Sequence, residues 1–241
     1  MSSTPRLLMP GEPPRIIAHR GYSAKQPENS MAAFLAAVNA GARGIELDIH
    51  LSSWGEAIVF HDFSLERLHG DPRRLVELDS GEIASLGIPL LEELFTAFGD
   101  EIFYDIEIKS RAHGPTGVEA EAVRLIRAYG LEKQVLISSF NPHALRAAAR
   151  HGKEIPRGLI FSKDADVPYF LRRGWGRFAV GVSALKPRSD QVTRWFMRRL
   201  GGRYAILPWT VDDPQEAIRL QELGVDGIIT NDPVRLAEAL A

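Results

Sequence analysis

Ile16-Ile17-Ala18, then Met31 to Asn39, then Ile45-Glu46-Leu47-Asp48-Ile49 is the stretch whose reading decides the fold. A short β-branched apolar run, a helical pattern and a second short run make a strand, a helix and a strand, an order that predicts parallel pairing. Ser30 is a residue type that caps a helix N-terminus, and Gly41 suits the left-handed position after its end. The rhythm continues outward. Further strand candidates are Ala57 to Phe60, Phe103 to Ile108, Val135 to Ile137, Gly158 to Phe161, Phe178 to Val182, Tyr204 to Leu207 and Gly227 to Thr230. Helical patterns fall at Leu90 to Ala97, Val118 to Tyr129, Pro142 to Arg150, Gln191 to Leu200 and Pro214 to Leu223, with Pro142 and Pro214 at first helical positions. No break in composition interrupts them. The expectation is an α/β fold, a single (β/α)8 barrel of TIM type over residues 15–241, with one strand candidate surplus. Residues 1–14 are expected as a flexible N-terminal segment and about 63–87 as a short insertion.

Composition narrows the function classes. The 241 residues are 45% hydrophobic and 25% charged, as in an ordinary globular chain. A net charge of −2 gives no whole-protein attraction to nucleic acid or to an anionic membrane. Without cysteine there are no disulfides, thiolate metal sites or cysteine nucleophiles, which fits a reducing cytoplasm. Neither a signal-peptide pattern nor a membrane-spanning apolar run is present, so no transmembrane segment is expected.

Charged and imidazole groups recur at the carboxyl ends of the strand candidates: His19, Glu46 and Asp48, His61, Glu107 and Lys109. In a barrel those ends form one rim. Positions two apart share a strand face, so Glu46 with Asp48, and Glu107 with Lys109, point together toward the mouth. Three converging carboxylates need positive charge. A hard divalent cation, Mg²⁺ or Ca²⁺, would supply it, and so would an ion-pair network with Arg20 and Lys109. His19 and His61 stand beside these carboxylates, where imidazole can carry protons near neutral pH. His50, His69, His113, His143 and His151 are expected to be ordinary imidazoles.

These residues form an ordered set that resembles the glycerophosphodiester phosphodiesterase family, a branch of the phosphatidylinositol phospholipase C-like barrels. The matching elements are Ile17-Ala18-His19-Arg20-Gly21, Pro27-Glu28-Asn29-Ser30, Glu46-Leu47-Asp48, His61-Asp62, Glu107-Ile108-Lys109, Ser139-Phe140, Trp209-Thr210-Val211 and Asp226 to Pro233. The resemblance implies metal-dependent hydrolysis of small-molecule glycerophosphodiesters to an alcohol and sn-glycerol 3-phosphate. His19 and His61 would be the general acid/base pair, and Glu46, Asp48 and Glu107 the ligands of one divalent cation. Arg20 and Lys109 would contact the phosphate, Glu28 and Asn29 would complete the mouth, and Phe140 and Trp209 would line a substrate pocket. In the reaction so implied the glycerol 2-hydroxyl attacks phosphorus and water then opens a cyclic phosphate. Ser30 and Asn231 depart from the commoner Thr and Asp without removing a ligand. The short insertion leaves open a lysophospholipase D-like activity on lipid substrates. A catalytically silent barrel binding a phosphorylated ligand is the alternative of another class. An amidohydrolase on the same fold would present His-x-His on its first strand, where this chain has His19-Arg20-Gly21.

One region stands outside that set. Between residues 172 and 203, Arg172, Arg173, Arg177, Lys186, Arg188, Arg194, Arg198, Arg199 and Arg203 face one acid, Asp190, with Trp195, Phe196 and Met197 interleaved. The segment is either a solvated helix with its aromatics in the core, or it attracts an anionic substrate or makes a peripheral contact with anionic lipid.

Overall fold

The computed structural model describes residues 15–165, 167–169 and 171–241; the expected flexible segment 1–14 lies outside the described residues. Nine strands follow one another in the described chain: β1 (Arg15–His19), β2 (Gly44–Leu51), β3 (Ala57–Val59), β4 (Phe103–Ile108), β5 (Val135–Ser139), β6 (Arg157–Phe161), β7 (Ala184–Pro187), β8 (Ala205–Ile206) and β9 (Gly227–Thr230). Eight run in the spatial order β8-β7-β6-β5-β4-β2-β1-β9 through parallel pairs. The two ends are drawn together by backbone bonds. Asp226 donates its N–H to Ile206 O at 3.0 Å, Ile229 to Pro208 O at 3.0 Å, and Val211 to Ile229 O at 2.9 Å. The architecture is a nearly closed (β/α)8 barrel.

The surplus strand is β3, which pairs antiparallel with β2 outside the barrel. A tight turn makes the hairpin: Ser52 donates its N–H to Glu56 O at 2.8 Å, and Glu56 returns its N–H to the Ser52 hydroxyl at 2.8 Å. The expected strand at Phe178 to Val182 is not formed. A 3₁₀ turn covers Trp175–Phe178, and strand pairing resumes where Ser183 donates to Arg157 O at 2.8 Å and β7 begins. Lys186 conceals β7 in the sequence, because a lysine in a barrel interior is legible only once its partner is known. The helical pattern at Gln191 to Leu200 divides into a 3₁₀ turn, Ser189–Gln191, and a helix, Arg194–Leu200, capped by the Thr193 hydroxyl.

Side-chain alternation sorts the barrel into layers. Ile45, Leu47 and Ile49 face the surrounding helices, while Ile17, Phe103, Leu136, Ala184, Leu207 and Ile229 form a separate apolar cluster inside. Above that floor the interior turns polar. Lys186 Nζ lies 2.7 Å from Asp105 Oδ2 and donates to Ser138 Oγ at 2.9 Å, all three side chains being buried. The insertion has its own small core, in which Leu65, Leu75, Leu78 and Ile83 pack on Ile58 and Phe60 of the hairpin.

Candidate functional site

The strand registers assemble the mouth. His19 pairs with Glu46 across β1 and β2, and Asp48 with Glu107 across β2 and β4. Oxygens of Glu46, Asp48 and Glu107 lie within 4.8 Å of one another, and all three residues are buried. Burial first, then the neighbouring Asp48, pushes the Glu46 carboxyl well above the usual carboxylate range. Burial acts on Asp48 in the same sense, but Lys109, Arg20 and His61 together outweigh it and hold that carboxyl below its usual range.

Both arrangements expected for these acids use the same side chains. Lys109 Nζ bridges Asp48 Oδ1 at 2.9 Å and Glu107 Oε1 at 2.6 Å, and Arg20 Nε lies 3.2 Å from Asp48 Oδ2. Glu46 is left over. Its direct contacts are the Arg20 backbone N–H at 3.2 Å and His19 Nε2 at 3.9 Å, while the charges of Arg20 and Lys186 act on it from further away. His19 cannot neutralise it near pH 7, because burial foremost, and then Arg20, lower its imidazole to about 4. Asp48 Oδ1 is buried without a hydrogen bond, facing Lys109 in a geometry that falls short of one. Three buried carboxylates converge here, and among the described residues Glu46 has no side-chain ammonium or guanidinium in direct contact, a set compatible with a divalent ion.

The segment after β1 wraps the acids. Arg20 and Asn29 have φ of 55° and 54°, and they are the non-glycine residues with positive φ among the described residues. Such backbone is held only where surrounding bonds over-determine it. Asn29 donates its N–H to Arg20 O at 3.0 Å and its Nδ2 to Asp48 Oδ2 at 2.9 Å, and receives the Asp48 N–H at 3.3 Å. Arg20 also reaches Glu28 at 2.8 Å. Gly21, with φ 80°, has room for no side chain, since a Cβ there would lie 2.6 Å from the Ala33 carbonyl carbon.

The two imidazoles are oriented differently. Asn231 donates Nδ2 to Asp212 at 2.7 Å and receives the Ser23 hydroxyl on Oδ1 at 2.9 Å, so Oδ1 faces His19 Nδ1 at 2.7 Å as an acceptor. The proton of neutral His19 is thereby assigned to Nδ1, and Nε2 keeps its lone pair. His61 Nδ1 lies 2.6 Å from a carboxylate, Asp62 Oδ1. The antiparallel strand brings it to the mouth: Phe60 donates its N–H to Asp48 O at 3.0 Å.

Residues that the sequence reading passed over complete the arrangement. Arg67, from the insertion, donates to Asp62 at 2.6 Å and to Glu28 at 2.6 Å and 3.1 Å, tying His61's partner to Arg20's. His50 is an ordinary buried imidazole, as expected, bonded to the His61 backbone carbonyl at 3.2 Å. Asp105 was signalled by its place two residues before Glu107 on the same strand face; Arg67 had no local signal. Phe140 and Trp209 do meet, edge to face at 5.5 Å, with Trp209 Nε1 donating to Lys186 O at 2.9 Å.

Comparison with known proteins adds an independent line. The model of the glycerophosphoryl diester phosphodiesterase family matches residues 19–235. A glycerophosphodiester phosphodiesterase of Caldanaerobacter subterraneus subsp. tengcongensis is 33% identical over 235 residues, covering 92% of this chain and 95% of the relative. The crystal structure of a glycerophosphodiester phosphodiesterase from Thermotoga maritima aligns with a TM-score of 0.74 and 25% identity, covering 94% of this chain and 98% of that one. An Oleispira antarctica phosphodiesterase, solved with its product sn-glycerol-3-phosphate, has the same fold at a TM-score of 0.76 and 24% identity, covering 95% and 97%.

Proposed function

The chain belongs to the glycerophosphoryl diester phosphodiesterase family, and from that premise we propose that it hydrolyses glycerophosphodiesters to an alcohol and sn-glycerol 3-phosphate, with His19 and His61 as its proton carriers. The observation that carries the assignment of roles is the unlike setting of the two imidazoles beside one acidic cluster. His19 Nε2 has a lone pair because Asn231 holds the proton on Nδ1, so it accepts the proton of the glycerol 2-hydroxyl as that oxygen attacks phosphorus. His61 has a carboxylate at Nδ1, which gives its positive form a counter-charge, so it delivers a proton to the departing alcohol oxygen. The roles reverse when water opens the cyclic phosphate. No protein nucleophile is needed.

Glu46, Asp48 and Glu107 would hold one divalent cation, Mg²⁺ or Ca²⁺, whose charge would offset that of the phosphate oxygens. Arg20 and Lys109, engaged with Asp48 here, would bind the phosphate. Phe140 and Trp209 supply an apolar wall for the glycerol or the alcohol. The test is release of glycerol 3-phosphate from glycerophosphocholine or glycerophosphoethanolamine by the purified protein with Mg²⁺ or Ca²⁺, and its loss on chelation. No metal-dependent turnover across a panel of glycerophosphodiesters would overturn the proposal.

A further inference from the structure

Among the described residues, the four most exposed large hydrophobic side chains are Phe178 at 77%, Tyr169 at 76%, Trp195 at 60% and Trp175 at 52%. All four fall between residues 169 and 195. For Tyr169, Trp175 and Phe178 the exposure has a structural cause: among the described residues the crossover from β6 to β7 carries a 3₁₀ turn, Trp175–Phe178, where a barrel usually lays an amphipathic helix, while Trp195 stands on the outer side of the helix Arg194–Leu200. The crossover lies against the helix Arg194–Leu200. Gln191, just before that helix, donates Nε2 to Arg172 O at 3.0 Å, Gly174 closes on the Phe161 ring, and that ring meets Phe196 at 6.4 Å. Arg177 in turn lies within electrostatic reach of Arg203 and Tyr204 beyond the helix.

The same face is basic. Arg173, Arg194, Arg198, Arg199 and Arg203 are exposed, and Asp190, the sole acid from residue 167 to 203, is bound by Arg188. Lys186 is not part of it, being buried with Asp105, which corrects the sequence-based grouping. Three of the exposed rings carry a guanidinium of their own: Arg177 over Phe178 at 4.2 Å, Arg199 over Trp195 at 5.0 Å and Arg172 over Tyr169 at 5.9 Å.

We propose that this face docks the protein on an anionic phospholipid surface. The Arg199–Trp195 pair suits that boundary best, where an aromatic ring settles below the phosphates while the attached guanidinium stays at phosphate level; Arg172 and Arg177 hold their rings while also bonding backbone carbonyls of the crossover. A second copy of the chain fits poorly, because a two-fold contact through one patch sets arginine against arginine. A single-stranded nucleic acid fits poorly as well. Three of the four rings that would stack a base already hold one of the protein's own guanidinium groups.

The test is flotation of the purified full chain with vesicles of phosphatidylcholine alone and of phosphatidylcholine mixed with phosphatidylglycerol. Binding is expected only with phosphatidylglycerol and is expected to weaken as salt rises. Arg198→Ala with Arg199→Ala should lower partitioning about 25-fold, since each basic residue at such a surface contributes roughly fivefold. Phe178→Ala with Trp195→Ala should abolish what binding persists at high salt. Turnover of a soluble glycerophosphodiester should be unchanged in both double variants, so failure of docking and failure of the proposed catalysis are read separately. Equal binding to both vesicle types, or binding unaltered in both variants, would overturn the proposal. So would a self-association that vanishes with Phe178→Ala and Trp195→Ala, or tighter binding to a single-stranded oligonucleotide than to the anionic vesicles.

Discussion

Single residues differ here by what their neighbours do to them. His19 and His61 are the same side chain, yet one is held neutral by burial beside Arg20 and the other sits against a carboxylate. His19→Ala and His61→Ala should each lower kcat by about two to four orders of magnitude, the usual range for lost acid/base catalysis, with circular dichroism unchanged. Near-wild-type turnover would remove that residue from the mechanism. Asn231→Leu takes away the acceptor that assigns the His19 tautomer, and should lower kcat about tenfold or more while moving KM little. Glu46→Gln, Asp48→Asn and Glu107→Gln should each weaken Mg²⁺ or Ca²⁺ binding measured by calorimetry, because a neutral oxygen replaces an anionic one. Unchanged affinity in all three would leave the ion-pair network as the whole role of the cluster.

The decisive elements are short and lie outside the regular barrel. The antiparallel β3 brings His61 beside Asp48, and the insertion brings Arg67 to Glu28 and Asp62. Arg67 is 46% exposed, so its ion pairs contribute little to folding, within about 1 kcal/mol. Arg67→Ala should therefore leave the melting temperature nearly unchanged while lowering kcat/KM, and a large drop in melting temperature with intact kinetics would contradict that division. The turn after β1 behaves in the opposite way. Gly21→Ala should cost roughly 2–3 kcal/mol, because a Cβ meets the Ala33 backbone at a φ that suits glycine. Urea denaturation would measure it.

In the molecule as a whole, charge is graded along the barrel axis, from an apolar floor through Asp105, Ser138 and Lys186 to the acidic mouth. Breaking the buried pair from one side leaves an uncompensated charge, so Lys186→Met should destabilise by about 3–5 kcal/mol. Lys186→Met combined with Asp105→Asn should recover much of that loss in thermal denaturation. A double variant no more stable than the single one would mean that Lys186 acts by packing rather than by charge.

The barrel class was legible in the sequence because alternating strand and helix patterns are local, each set by residues a few positions apart. The cap at Ser30 and the first-turn prolines Pro142 and Pro214 were local signals of the same kind. So was the pairing of Glu46 with Asp48 and of Glu107 with Lys109, since a period of two on one strand puts alternate side chains on one face. Those patterns could not say which strand candidate stood outside the barrel, that Lys186 belongs to a strand, or that Arg67 reaches the mouth. Each depends on a partner far along the chain: the β2–β3 hairpin contact, Asp105 across the barrel, and Glu28 across the mouth. Sequence alone determined which residues could share a face; tertiary structure decided which faces meet, because strand register and loop path set the distances over which charges and hydrogen bonds act.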